Sequence, residues 1–167
     1  KPEMSVSAKT NQVEADMIAA MVERIFRQAD RFDYSATVGV IVPYRNQIAT
    51  VRNAIDRYGI PALHSITIDT VERFQGSQRD YIIYGLTVQQ RCQLNFLTDN
   101  VFEEDGTLID RKLNVAMTRA RKHLTIVGNP DILAGSAVYR RLMDFMKSRG
   151  CYFNVACEKF CAGDFSV

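Results

Sequence analysis

Apolar residues recur along the chain with two different periods. From Asn11 to Arg31 the spacing is helical, with Ile18, Met21, Val22, Ile25 and Ala29 on one stripe. Asn11 followed by Glu14 reads as a capping box at the start of that helix. Residues 37–43, TVGVIVP, form instead a short continuous β-branched run, the pattern of a strand buried on both faces, which Pro43 ends. Helical spacing returns over 45–58, with Ile48, Val51, Ile55 and Tyr58 on one face, and Gly59 and Pro61 stop it. HSITIDT (64–70) and DYIIYGLTV (80–88) are two more strands, joined by the polar VERFQGSQR. Residues 99–109 carry four acids, the last of them in an Asp-Gly turn, and read as a surface excursion, a small hairpin. A helix over 110–121, a strand over 123–128 and a helix over about 136–148 follow. The tail, 151–167, predicts one short strand.

Strands alternating with helices predict right-handed βαβ units and a mainly parallel sheet with helices on both faces. In such sheets ligands bind beyond the carboxyl ends of the strands. That rule marks PYRNQ, after the first strand, and DTVERFQG, after the second, as candidate site loops.

Composition leaves this picture intact. The 167 residues fit one domain, 1–167, with 47% hydrophobic and 24% charged residues. No run approaches the ~20 apolar residues of a membrane span. No signal peptide is visible, and with Lys1 in place of Met the chain is expected to be a piece of a longer protein. A net charge of +2 means that any nucleic-acid partner must meet locally placed cations. The four cysteines, Cys92, Cys151, Cys157 and Cys161, contain no CxxC pair and lie far from both histidines. They are expected to be free or buried thiols in a reducing cytoplasm, and no metal site is expected.

The candidate chemistry lies in arginine, glutamine and glycine at strand ends. In LNVAMTRARKHLTIVGN, Leu113, Ala116, Met117 and Ala120 form an apolar stripe at ~100° per residue, with Arg119 and Arg121 on opposite flanks, roughly 160° apart. The pair cannot grip one group unless the helix ends between them. Two arginines at a helix end can simply complement its dipole, or one can present a planar fork to a phosphate. Gln75-Gly76 sits in a strand-to-strand segment too short for a crossover helix. Tyr44 and Arg45 either cap the following helix or face a phosphate or base. GxxxxGK[ST] is absent, and spacing supports no paired-carboxylate, Ser-His-Asp or Cys-His constellation. What remains looks like half a site, completed by another domain.

Together, GVIVPYRNQ, TIDTVERFQGSQRDYIIYGLT and LNVAMTRARKHLTIVGNP resemble motifs IV, V and VI of superfamily 1 helicases, most closely subfamily B. NQVEAD (Asn11–Asp16) resembles the segment that precedes motif IV there. The resemblance covers about residues 8–135, in the family's order and spacing. It implies an α/β, RecA-like three-layer sandwich, a P-loop NTPase-type fold lacking the P-loop. This would be the second of two RecA-like domains, with ATP and Mg²⁺ bound mainly by the first, N-terminal domain of the same chain. Arg119 would be the arginine finger reaching the γ-phosphate, and Arg45 a second sensor of it. Some members place that arginine three residues on, where this chain has Ile48. Gln75, Gly76, Gln78 and Arg121 would serve the nucleotide; Tyr44, Thr70 and Arg73 would contact single-stranded DNA or RNA. Many relatives have Glu where this chain has Gln78, and the excursion at 99–109 looks like an insertion of about ten residues, read as a solvated loop. The resemblance implies no membrane, no obligate oligomer and a fragment inactive alone. The alternative is a non-catalytic nucleic-acid-binding or regulatory module that kept the fold; a third reading links the helicase half to a separate nuclease.

Overall fold

A computed structural model describes residues 9–74 and 77–163. In chain order the elements are α1 (Gln12–Gln28), β1 (Val38–Val42), α2 (Arg45–Asp56), a 3-10 turn (Pro61–Leu63), β2 (Thr67–Thr70), β3 (Arg79–Gly85) and α3 (Arg91–Leu97). A hairpin of β4 (Val101–Glu104) and β5 (Thr107–Asp110) comes next, then α4 (Arg111–Arg119), β6 (Ala120–Val127), α5 (Pro130–Leu133), α6 (Ala137–Ser148) and α7 (Cys157–Cys161). Four strands make one parallel sheet in the order β2-β1-β3-β6.

The two faces of the sheet are separately covered, as period-2 alternation requires. Val38, Val40, Val42 and Ile83 pack on one side with Ala15, Ile18 and Val22 of α1 and Val51 and Ile55 of α2. Ile41, Ile82 and Tyr84 pack on the other with Leu113 and Ala116 of α4, Leu133 of α5 and Tyr139 of α6. The expected α/β three-layer sandwich is the fold observed. β1 is buried along its whole length because it has a strand on each side and a helical layer on each face.

The sheet order forces the link from β2 to β3 to cross over β1. Residues 71–78 make that crossing in eight residues, fewer than the dozen or so such a connection usually takes. The ring of Phe74, 1% exposed, lies directly on Gly39. A Cβ at residue 39 would stand 2.5 Å from Phe74 Cζ and 3.0 Å from Arg79 Cγ. Glycine is what lets the crossing chain lie this close. Gln75 and Gly76 fall in this segment and lie outside the described residues.

Several expectations need correction. α3 was not foreseen, since its buried Gln93, Leu94 and Leu97 make too short a stripe to register; a Gln90–Gln93 capping box starts it. The tail carries the helix α7 instead of a strand, held to α1 in part by Arg24 over the Phe160 ring. Ala120 is the first residue of β6 and Met117 is 51% exposed, so the four-residue stripe on α4 shrinks to Leu113 and Ala116. β6 lies at the sheet edge, and its first four residues are open or half-open to solvent. The excursion is the expected hairpin, with Asp105 and Gly106 at φ +50° and +74°, the left-handed pair of a tight two-residue turn. Asn11 caps α1 by accepting from Glu14 N, but the Glu14 side chain does not reach back, so the capping box is only half formed.

Candidate functional site

Strand register sorts the candidate residues onto two opposite edges of the sheet. Arg79 of β3 pairs with Ala120 of β6 at the amino ends of the strands. Around them sit Gln78, Thr118, Arg119, Arg121 and Lys122. α4 stops at Arg119 and β6 starts at the next residue, so the helix does end between the two arginines. Their surroundings differ. Arg121 donates to the Gln78 carbonyl at 3.2 Å and lies 3.7 Å from Asp80, which Lys122 also holds at 2.7 Å. Arg119 makes only local contacts, through Nε to the Val115 carbonyl at 3.4 Å and Nη2 to Thr118 Oγ1 at 3.1 Å. Among the described residues no carboxylate lies within ion-pair distance of it. Gln78 Nε2 donates to the Thr118 carbonyl at 3.2 Å. Arg79 is buried, donating to the Gln78 carbonyl at 2.8 Å and to Thr67 Oγ1 at 2.9 Å. Burial, and then the nearby Arg121, lowers its pKa.

The carboxyl ends of the strands form the second edge. Arg45 is the exposed first residue of α2. Tyr44, just before it, is 6% exposed and stacks on Phe96 with ring centroids 4.9 Å apart. Burial pushes its phenol up to about 12. Thr70 ends β2, its carbonyl accepting from Arg73 N and Phe74 N as the crossing begins. Arg73 is exposed. Behind this edge two buried polar links tie the elements together. Gln47 accepts from Asn11 N at 2.8 Å and donates to Asn11 O at 2.9 Å, which joins α2 to the start of α1. Both carboxylate oxygens of Glu14 accept from Thr87 N, at 2.8 and 3.0 Å. Glu14 fits because residue 85 is glycine; a Cβ there would lie 2.7 Å from Glu14 Oε1. Burial drives the Glu14 pKa up to about 8, against the lowering effect of the Thr87 hydrogen bonds.

A family model described as "AAA domain" matches residues 1–131. The chain belongs to this family. Its curated relatives include Helicase sen1 of Schizosaccharomyces pombe, 33% identical over 141 residues, which are 83% of this chain and 8% of the relative. Helicase SEN1 of Saccharomyces cerevisiae is 31% identical over 154 residues, 90% of this chain and 6% of the relative. ATP-dependent helicase NAM7 of the same yeast is 28% identical over 145 residues, 84% of this chain and 14% of the relative. The chain thus spans a small part of the length of each, and it is a helicase C-terminal domain of the superfamily 1 type.

In this helicase domain the sequence-derived residues divide by edge. Gln78, Arg119 and Arg121 come together at the amino ends. Arg45, Tyr44 and Thr70 lie at the carboxyl ends, with Arg73 leading away from them. Arg45 and Arg119, expected on one phosphate, are not brought together; Arg45 follows the end of β1 and Arg119 precedes the start of β6. Tyr44, expected as a nucleic-acid contact, has its ring covered by Phe96; Phe96 itself is 38% exposed, with Tyr44 stacked on its ring and Lys112 Nζ 4.5 Å from its centroid. Lys112 reaches back to Asp99 at 3.0 Å and over the Phe96 ring. Sequence reasoning missed Phe96 with α3, and missed Gln47 and Thr118 as fixed polar links. The Asn-x-x-Glu spacing did signal Glu14, for a different bond. The four cysteines are free thiols, and among the described residues no group of three or more His, Cys, Asp or Glu is placed to hold a metal. No helix among them is long and apolar enough to cross a membrane.

Proposed function

We propose that this chain is the second motor domain of an ATP-dependent, subfamily B helicase, with its amino-end edge turned to a nucleotide and its carboxyl-end edge to single-stranded DNA or RNA. One observation carries the reading. Arg119 stands at the junction of α4 and β6 with no acidic partner among the described residues, while Asp80 occupies Arg121 and Lys122. Arg79, Arg119, Arg121 and Lys122 set four cations against Asp80, with Asp33 also acting on Arg79, an excess of positive charge suited to a polyphosphate. ATP fits this edge as a ligand shared with another domain; when bound it supplies the phosphoryl group whose transfer drives movement. Arg119 would stabilise the charge that develops on the phosphoryl oxygens, as a finger supplied from the second domain. Mg²⁺ would be held mainly by the N-terminal RecA-like domain. Arg45, with Thr70 and Arg73, belongs in this reading to the nucleic-acid edge.

The test uses the full-length protein with both motor domains. Arg119→Ala is expected to lower nucleic-acid-stimulated ATP hydrolysis by about a thousandfold, while a fluorescent ATP analogue still binds. Wild-type turnover in that variant would sink the finger assignment and favour a module that kept the fold without the motor.

A further inference from the structure

The tail helix α7 carries a side-chain pair that neither sheet edge uses. Cys157 and Cys161 are its first and last residues. Four positions apart, they share one side of its single turn, and their sulfurs lie 3.7 Å from each other. α7 packs on α1, where Cys157 Sγ donates to the Val13 carbonyl at 3.4 Å and Arg24 lies over the Phe160 ring. Both cysteines line a cavity of about 340 Å³, which Ala19 of α1, Ala54 of α2 and Tyr58 help to wall. Cys161 is exposed and Cys157 is half-buried. Burial, and then its hydrogen bond with Cys161, pushes the Cys157 thiol up to about 11, so it stays protonated at neutral pH. Cys92 and Cys151 are placed differently, with their sulfurs on Gln90 Oε1 and the Arg149 carbonyl.

We propose that Cys157 and Cys161 form an oxidation site, which a peroxide converts to a disulfide, and that this bond undocks α7 from α1. Cys161, the exposed partner, reacts first. Its thiolate attacks one oxygen of hydrogen peroxide and the O–O bond breaks. The other oxygen leaves as hydroxide and takes up the thiol proton as water, so that Cys161 becomes a sulfenic acid. The Cys157 sulfur then attacks the Cys161 sulfur. The S–S bond forms, and the sulfenic hydroxyl leaves with the Cys157 proton as a second water. The two thiols lose two electrons and the peroxide gains them. Two sulfurs already 3.7 Å apart need little approach, which offsets the small thiolate fraction of Cys157. The bond does not fit the intact turn. Helical neighbours four apart hold their Cβ atoms about 5–6 Å from each other, whereas a disulfide holds them at about 3.8 Å. A five-residue helix has no stability of its own with which to resist that pull. Cys157 also loses the S–H that it gives to Val13, and the distorted turn carries Phe160 away from Arg24. None of this depends on how the nucleotide edge is read.

The test treats the full-length protein with hydrogen peroxide, blocks the remaining thiols and weighs the tryptic peptides. Trypsin cuts after Lys159, between the two cysteines, so the disulfide joins two peptides that otherwise separate. Cys151 shares a peptide with Cys157, and a Cys151→Ser background assigns the link. The linked pair is expected to form and to be lost again on reduction with dithiothreitol. Cys157→Ser is expected to leave Cys161 as a sulfenic acid that dimedone captures, and Cys161→Ser to leave Cys157 a thiol. Hydrogen exchange is expected to show a loss of protection in α7 and the first turn of α1 on oxidation, restored by the reductant and absent when both cysteines are serine. Absence of the linked peptide, or dimedone capture as strong in wild type as in Cys157→Ser, would overturn the site. A linked peptide with exchange in α7 unchanged would overturn the undocking.

Discussion

Glu14 carries a carboxyl group that is 4% exposed, with Thr87 N–H as its principal donor and no cation against it among its bonds. Burial outweighs those bonds and leaves its pKa near 8, above the ordinary 4.5. The native state therefore keeps a proton that the unfolded chain releases between those two values. The stabilisation linked to that proton is complete below about 4.5 and is lost as pH rises through about 8. Wild-type melting temperature should fall across this window, and Glu14→Gln should flatten the fall, by an amount on the order of a few kcal/mol between the two limits. Identical pH–melting profiles for the two proteins would show that Glu14 is ionised throughout. At this scale the sequence was a partial guide. Asn11 and Glu14 could be picked out by spacing, but the spacing suggested a bond within one helix turn. The bond actually made, to Thr87, depends on the end of β3 arriving over α1, and no local pattern carries that. Gln47 was hidden in the same way, being a polar residue in a helix start whose partner lies 36 positions earlier. The helical geometry that put Arg119 and Arg121 on opposite flanks does not apply, because α4 ends at Arg119; Ala120 as the first strand residue gives them different neighbours instead.

Elements were most legible where a pattern had only one reading. β1, with five buried residues in VGVIV, and α1, with its stripe, appear close to where the periodicity put them. The hairpin was legible from Asp105-Gly106, since few other dipeptides accept two left-handed residues in succession. α3 and α7 were not, because seven and five residues are too few for a helical period to establish itself. The crossing from β2 to β3 was recognised as too short for a helix, though not what replaced the helix. Phe74 and Val71 of the crossing join the core on one face of the sheet, and Gly39 is the surface the Phe74 ring lies on. Gly39→Ala should overpack this contact and cost about 1–3 kcal/mol in urea denaturation. Combining it with Phe74→Leu should recover part of that loss, since the two residues share one space. Additive losses in the double variant would mean that the ring and residue 39 do not meet.

At the scale of the molecule, the four-stranded sheet with a covered core on each face needs nothing further to account for its folding. Its chemistry, on the proposed reading, is shared with another domain. The amino-end edge offers cations, and among the described residues no group of three or more His, Cys, Asp or Glu is placed to hold a metal. The 167-residue chain alone is accordingly expected to be folded, with a cooperative melt, and to show no ATP hydrolysis above buffer at saturating ATP, with or without nucleic acid. Turnover by this chain alone would require a complete site within it and would remove the need for a second domain.

The absence of any linker between α4 and β6 limits how Arg119 can move. Its peptide runs straight into β6, which pairs with β3 at Ala120 opposite Arg79 and, after a shift in register between Arg79 and Tyr81, from His123 onward, so the side chain's base is tied to the sheet. Beyond the reach of its own rotamers, this arginine travels only when the whole body travels. In a two-domain motor built this way, the stroke of the domain and the arrival of the charge would be a single event, timed by the hinge that joins the two bodies.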